Sequence, residues 1–214
     1  MAGPHPTSEV DIANLALDRL GQPPITSVDT PTTPPEDKVA KHYAATRRAL
    51  LRSYIFNFAK KYAALTASGT VTPEFGFDAA YALPNDYIRL LVIGGTDVTD
   101  SVPPGLFDVV DGHIYTDESD DTDTLNIRYV YDNKTVTKWD ALFVKLMVLE
   151  LAAALAPGFT LKPSVRTDIE NQLKDVRLQA AAVAGQEKPV QRIQRSKLVA
   201  MRRTGIGRRD MTRW

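Results

Sequence analysis

Eighteen consecutive residues, Trp139 to Ala156 (WDALFVKLMVLELAAALA), constrain this chain more than any other stretch, because fifteen of them are apolar or Ala. The three charges, Asp140, Lys145 and Glu150, recur every five residues. On a helix that spacing turns each by about 140° from the last, so no broad polar face remains. A helix that is apolar all round must be wrapped on most sides. Its length approaches that of a bilayer span, but each charge in hydrocarbon costs roughly 2.5–3.5 kcal/mol. The pattern therefore predicts a buried helix of a folded body, with no membrane span.

Candidates to wrap it lie on both sides. Ser8 to Asp11 has the spacing of a capping box, followed by Ile12, Leu15, Ala16 and Leu20 at helical intervals and a stop at Gly21. Residues 22 to 34 carry four prolines and read as an extended connector. Thr33 can cap a second helix with Pro34 at its first position. Val39, Tyr43, Leu50 and Tyr54 mark its buried face, and Ala40 and Ala44 are small enough for close approach. Pro157-Gly158 ends the apolar helix. A fourth helix follows from about Pro163 to Ala184, with Val165, Ile169, Leu173, Val176, Ala180 and Val183 on one stripe, i, i+4 charge pairs at Arg166/Glu170 and Glu170/Lys174, and a break at Gly185.

Between the second and third helices the period changes. Phe58 to Leu65 reads as a first strand, Tyr87 to Ile93 as a second ended by Gly94-Gly95, and Thr124 to Asp132 as a last one. In that last strand Leu125, Ile127, Tyr129 and Tyr131 alternate with Asn126 and Arg128. Phe107 to Val110 and His113 to Tyr115 flank Asp111-Gly112, a hairpin signal. The expected class is α+β: a four-helix bundle over 1–56 and 137–186, an antiparallel β domain inserted at 57–136, and an extended basic arm over 187–214.

The net charge of zero conceals a division. From Lys188 to Trp214 nine basic residues face one acid, a net +8, and the preceding 187 residues carry −8. Such asymmetry marks the arm as an interaction segment. Isolated apolar residues interrupt its charges, and an anchor such as Trp214 suits docking on a folded partner better than a pure polyelectrolyte does.

Signs of chemistry are sparse. Absence of cysteine excludes disulfides, thiol chemistry and Cys-ligated metals. His5, His42 and His113 have no second ligand at metal spacing, there is no Gly-x-Ser-x-Gly elbow, and Gly205-Ile-Gly207 is only a fragment of a phosphate loop. Five carboxylates from Asp117 to Asp123 could hold Ca²⁺, but the run lacks the glycine and distal glutamate of an EF-hand loop and reads first as a solvated turn. The expectation is no catalytic site, no metal and no cofactor. The N-terminus has neither the basic start nor the apolar run of a secretory signal, so synthesis in the cytoplasm is expected.

Three stretches occur in a particular order: Ile12-Ala-Asn-Leu-Ala-Leu-Asp-Arg-Leu-Gly-Gln-Pro-Pro-Ile25, Tyr54-x-Phe56-x-Phe58 and Leu83-Pro-Asn-Asp-Tyr87, followed by the apolar helix. In this order, over residues 8 to 185, the chain resembles the tail tubular protein A family, the head-to-tail adaptors of short-tailed bacteriophages. That resemblance implies a virion structural protein without enzymatic activity, placed in the tail at the portal vertex. It implies a helical bundle with an inserted β domain, assembled as a dodecameric ring between the portal protein and a tail nozzle of the tail tubular protein B kind. The genomic DNA would pass through its channel without specific binding, as an acidic body allows. The expected portal-binding residues lie on the arm: Arg192, Ile193, Arg195, Lys197, Leu198, Met201, Arg202, Arg203, Arg208, Arg209, Met211, Arg213 and Trp214. Two rivals are a DNA-binding module that uses the basic arm and a small hydrolase or ligand-binding domain, the latter without a candidate nucleophile pair.

Overall fold

The computed structural model describes residues 5–71, 73, 76–99, 105–118, 124–159 and 163–186. It is a mixed α+β fold with four α-helices and two antiparallel sheets among the described residues. The helices are α1 (Glu9–Arg19), α2 (Pro34–Ser53), α3 (Ala141–Leu155) and α4 (Pro163–Gln186). The strands are β1 (Lys60–Thr66), β2 (Ala79–Ala82), β3 (Tyr87–Ile93), β4 (Thr96–Asp97), β5 (Asp108–Val110), β6 (His113–Thr116) and β7 (Thr124–Tyr131).

The apolar helix is enclosed as its sequence demands. Nine of the fifteen α3 residues are buried, from Phe143 to Leu155, and α1, α2 and α4 all pack on it. Its charges leave by the gaps. Asp140 is the N-cap, accepting from Leu142 N–H at 2.7 Å, Lys145 is exposed, and Glu150 takes a two-pronged bond from Arg177 of α4 at 2.6 and 2.8 Å. By length and composition Ala141–Gly158 could cross a membrane, and 56% of it is buried inside the protein. Trp139 precedes the helix but is buried, its ring edge-on to Phe143 at 4.9 Å and its Nε1 donating to the Asn133 carbonyl.

Helix faces match the expected stripes with three exceptions. Leu15 is 44% exposed, and Ala13 and Leu17 are buried in its place, because the α1 face turned to α3 is the Ile12, Ala13, Ala16, Leu17, Leu20 series. On α2, Ala44 is exposed and Tyr54 only half-buried, whereas Arg47 lies inside. Helix α4 passes through Gly185 to Gln186, since a single glycine costs a helix only about 1 kcal/mol.

The strands form two sheets where alternation suggested one. The first has the order β1-β7-β3-β4 and the second β2-β6-β5. The chain passes from one to the other just after β1, where Ala67 bridges Tyr81 and Ser68 N–H donates to the Ala80 carbonyl at 2.7 Å. Strand β2 carries no legible signal, because Ala79-Ala-Tyr-Ala has no β-branched residue and too few positions to show a period. Strand β1 starts at Lys60, since Phe58 belongs to a 3₁₀ turn, Asn57–Ala59, that aims its ring at Phe143. Asp111 and Gly112 both have positive φ, as the expected two-residue hairpin turn requires.

The first sheet is covered along one face and, at one end, on the other. Leu125, Ile127 and Tyr129 of β7 face the second sheet, and Val130 enters the helical core with Ile88 and Leu91 of β3. Two bulges in β3, at Tyr87/Arg89 and Leu90/Val92, set seven of its residues against five of β7 and re-aim its side chains to serve both cores. Leu149 sits 2% exposed in the helical core. Leu149→Ala should cost about 2–5 kcal/mol and Leu149→Asp should unfold the protein, whereas Lys145→Leu should change stability by less than about 0.5 kcal/mol, all measured by urea denaturation.

Candidate functional site

The thirteen arm residues expected to bind a partner, Arg192 to Trp214, lie outside the described residues. Of the acidic run, Asp117 and Glu118 are described and exposed, and 119–123 lie outside. Among the described residues no group of three or more His, Asp or Glu could hold a metal ion. His5 bonds the Trp139 carbonyl at 3.1 Å, His113 the Asp111 carbonyl at 2.9 Å, and His42 is exposed on α2.

Each stretch that carries the family resemblance sits at a joint. In the first, Asn14 on α1 donates to the Ile25 carbonyl at 3.1 Å and accepts from its N–H at 2.7 Å, pinning the proline connector back on the helix that precedes it. In the second, the Phe56 and Phe58 rings leave α2 and lie edge-on to Phe143 at 5.1 and 5.0 Å. In the third, Asp86 accepts from Tyr129 Oη and Lys61 Nζ, both at 2.8 Å, and Tyr87 stacks on Tyr129 at 6.0 Å. Burial pushes the Asp86 carboxyl up, but the Lys61 and Tyr129 hydrogen bonds outweigh it and leave it below its ordinary value.

Two buried polar side chains hold this frame together. Glu36 at the start of α2 accepts six hydrogen bonds from the connector: Thr26 N–H and hydroxyl and Ser27 N–H on Oε1, Thr32 N–H and hydroxyl and Thr33 N–H on Oε2. These donors, the Thr32 and Thr26 amides foremost, hold its carboxyl far below the ordinary range. Arg47, in the middle of α2, takes both oxygens of Asp132, at 2.8 and 3.2 Å, just past the end of β7, and bonds Glu9 of α1 at 2.9 Å. One guanidinium thus ties two helices to the first sheet. Burial raises the Glu9 pKa, only partly offset by Arg47. The Tyr43 hydroxyl beside this cluster is buried without a hydrogen-bond partner among the described residues.

Among the described residues, a concavity of about 660 Å³ lies over the outer side of α1 between His5, Leu15, Asp18 and Pro24. A second of about 500 Å³ runs between α2 and α4 over Ala153 and Ala154 of α3, and a third of about 370 Å³ opens beside Glu9, Asp29, Arg47 and Lys134. The chain matches no family model, and no curated protein matches it significantly.

Arg47→Met should destabilise the protein by about 3–5 kcal/mol, since it leaves two half-buried carboxylates without their cation; urea denaturation measures it. The stability contributed by Glu36 is present above its unfolded pKa of about 4.5 and lost as pH falls below that value. Glu36→Gln should therefore lower the urea midpoint at pH 6 and flatten its fall between about pH 4.5 and 2.5.

Proposed function

We propose that this chain is a structural head-to-tail adaptor of a short-tailed phage virion, of the tail tubular protein A kind. The observation that carries the reading is the placement of the three resembling stretches, in order, at joints of the fold: the connector pinned on α1, the turn from α2 into β1, and the entry to β3 held by β1 and β7. A frame specified at its joints is what a subunit repeated around a ring needs, because each contact surface must keep one geometry to close. On this reading α1, α2 and α4 around α3 form a four-helix bundle, and the two sheets are a β domain inserted at 57–136. The protein is no enzyme and needs no cofactor or metal. Twelve copies form the ring between portal protein and nozzle in the virion tail, and the −8 body lines a channel through which DNA slides unbound.

The arm over 187–214 is the portal-binding segment. Its arginines and lysines, among them Arg192, Arg195, Lys197, Arg202, Arg203, Arg208, Arg209 and Arg213, pair with acidic grooves of the portal. Ile193, Leu198, Met201, Met211 and Trp214 anchor in its apolar pockets. An arm that orders on binding covers a large surface from a small domain.

The arm's +8 charge also favours a second reading, a DNA-binding module. One truncation separates the two. Deleting 188–214 should leave a soluble, folded body that no longer binds purified portal rings, with duplex DNA binding of the full chain weak. Retained portal binding by the truncated chain would sink the arm assignment. Tight duplex binding of the full chain, falling steeply with salt and lost on truncation, would establish the second reading.

A further inference from the structure

Three arginines stand together with no carboxylate partner among the described residues. Arg48 and Arg52 are exposed one turn apart on α2. Arg89 of β3 donates from Nη1 to the Arg52 carbonyl at 3.4 Å, and Arg52 Nη1 donates to the Ile88 carbonyl at 2.9 Å. By contrast Arg47, Arg128, Arg166 and Arg177 each have an acid within 4 Å. Backbone carbonyls hold the Arg52 and Arg89 guanidiniums across the α2–β3 seam without neutralising them, which leaves both charges for an anion.

An opposite patch lies at the far end of the same strand. Asp78, Asp108, Asp117 and Glu118 are exposed and belong to none of the ion pairs among the described residues. Asp117 Oδ1 accepts from Asp78 N–H at 2.7 Å, and Asp108 pairs across the ladder with Tyr115, two residues before Asp117. The Glu118 side chain lies over Gly94, where an added Cβ would meet its Oε2 at 2.9 Å. Arg89 lies opposite Val130 and Gly94 opposite Asn126, four residues of β7 apart, or about 13 Å along a strand, which exceeds the screening length of about 8 Å in physiological salt. Within one copy the two patches do not neutralise each other.

We propose that the arginine patch of one copy docks on the acidic patch of the next. The two surfaces are different, so the contact is head-to-tail, the kind that builds a ring when its rotation closes. A nucleic acid would satisfy only the arginines, whereas a second copy satisfies both patches in one contact. This inference rests on the ring reading for the presence of a neighbour and names where the neighbour sits.

The test is sedimentation velocity of the full chain at low and high salt, with folding checked by circular dichroism. The variants are Arg48→Glu/Arg52→Glu and Asp78→Lys/Glu118→Lys. The wild type should associate at low salt and dissociate at high salt, and each variant alone should associate about tenfold or more weakly. An equimolar mixture of the two should regain association, because reversed patch meets reversed patch and native meets native. A wild type that stays monomeric at low salt, variants that associate as the wild type does, or a folded mixture that fails to regain association each overturns the proposal. So does loss of duplex DNA binding in the arginine variant with association unchanged, which assigns that patch to nucleic acid. Micrographs separate the two levels: rings formed on portal by both variants remove this contact and leave the adaptor, whereas a wild type without rings removes the adaptor itself.

Discussion

Everything in this fold answers to the need to cover α3. A helix with one exposed charge and nine buried residues out of fifteen has no solvent face to spare, so neighbours must come from every side. Three helices supply most of the cover, and Val130, Ile88 and Leu91 of the first sheet supply the rest. The aromatic group of Trp139, Phe143, Phe56 and Phe58 closes the end of α3 nearest the strands. The first sheet therefore shares a core with the helices.

Polar groups then fix what apolar packing leaves loose. Hydrophobic contact is non-directional, whereas Arg47 admits one geometry with Asp132 and Glu9, and Glu36 admits one path of the connector. Each is a buried charge with its partners in place; Arg47 links segments 38 and 85 residues away, and Glu36 fixes the connector within ten residues of itself. Such groups specify a single arrangement, which suits a subunit whose surfaces must match those of identical neighbours.

The legible part of this structure is local. The Ser8/Asp11 capping box, the Thr33-Pro34 helix start, the Asp111-Gly112 hairpin and the burial of α3 are short-range consequences of residue type and spacing. Arg47 is absent from the expected buried face of α2, although a charged residue on the Val39, Tyr43, Leu50 stripe is a visible signal of a buried ion pair. Its partner Asp132, 85 residues away, carries no such signal. The division into two sheets depends on which strands pair, and alternation reports faces without reporting neighbours. Surface patches such as Arg48, Arg52 and Arg89 come from separate elements and emerge only once α2 and β3 are side by side. The arm is the most distinctive stretch of sequence, and the described body adds contact surfaces to it as candidates for assembly.

The adaptor reading makes this chain one member of a closed, repeated assembly, with stability placed inside each subunit and function at its surfaces. Single-particle class averages of the full chain mixed with purified portal rings test that directly. End views should show an added twelve-fold ring around an open channel, in register with the portal. Portal rings that remain bare, or an added density without rotational repeat, would contradict it.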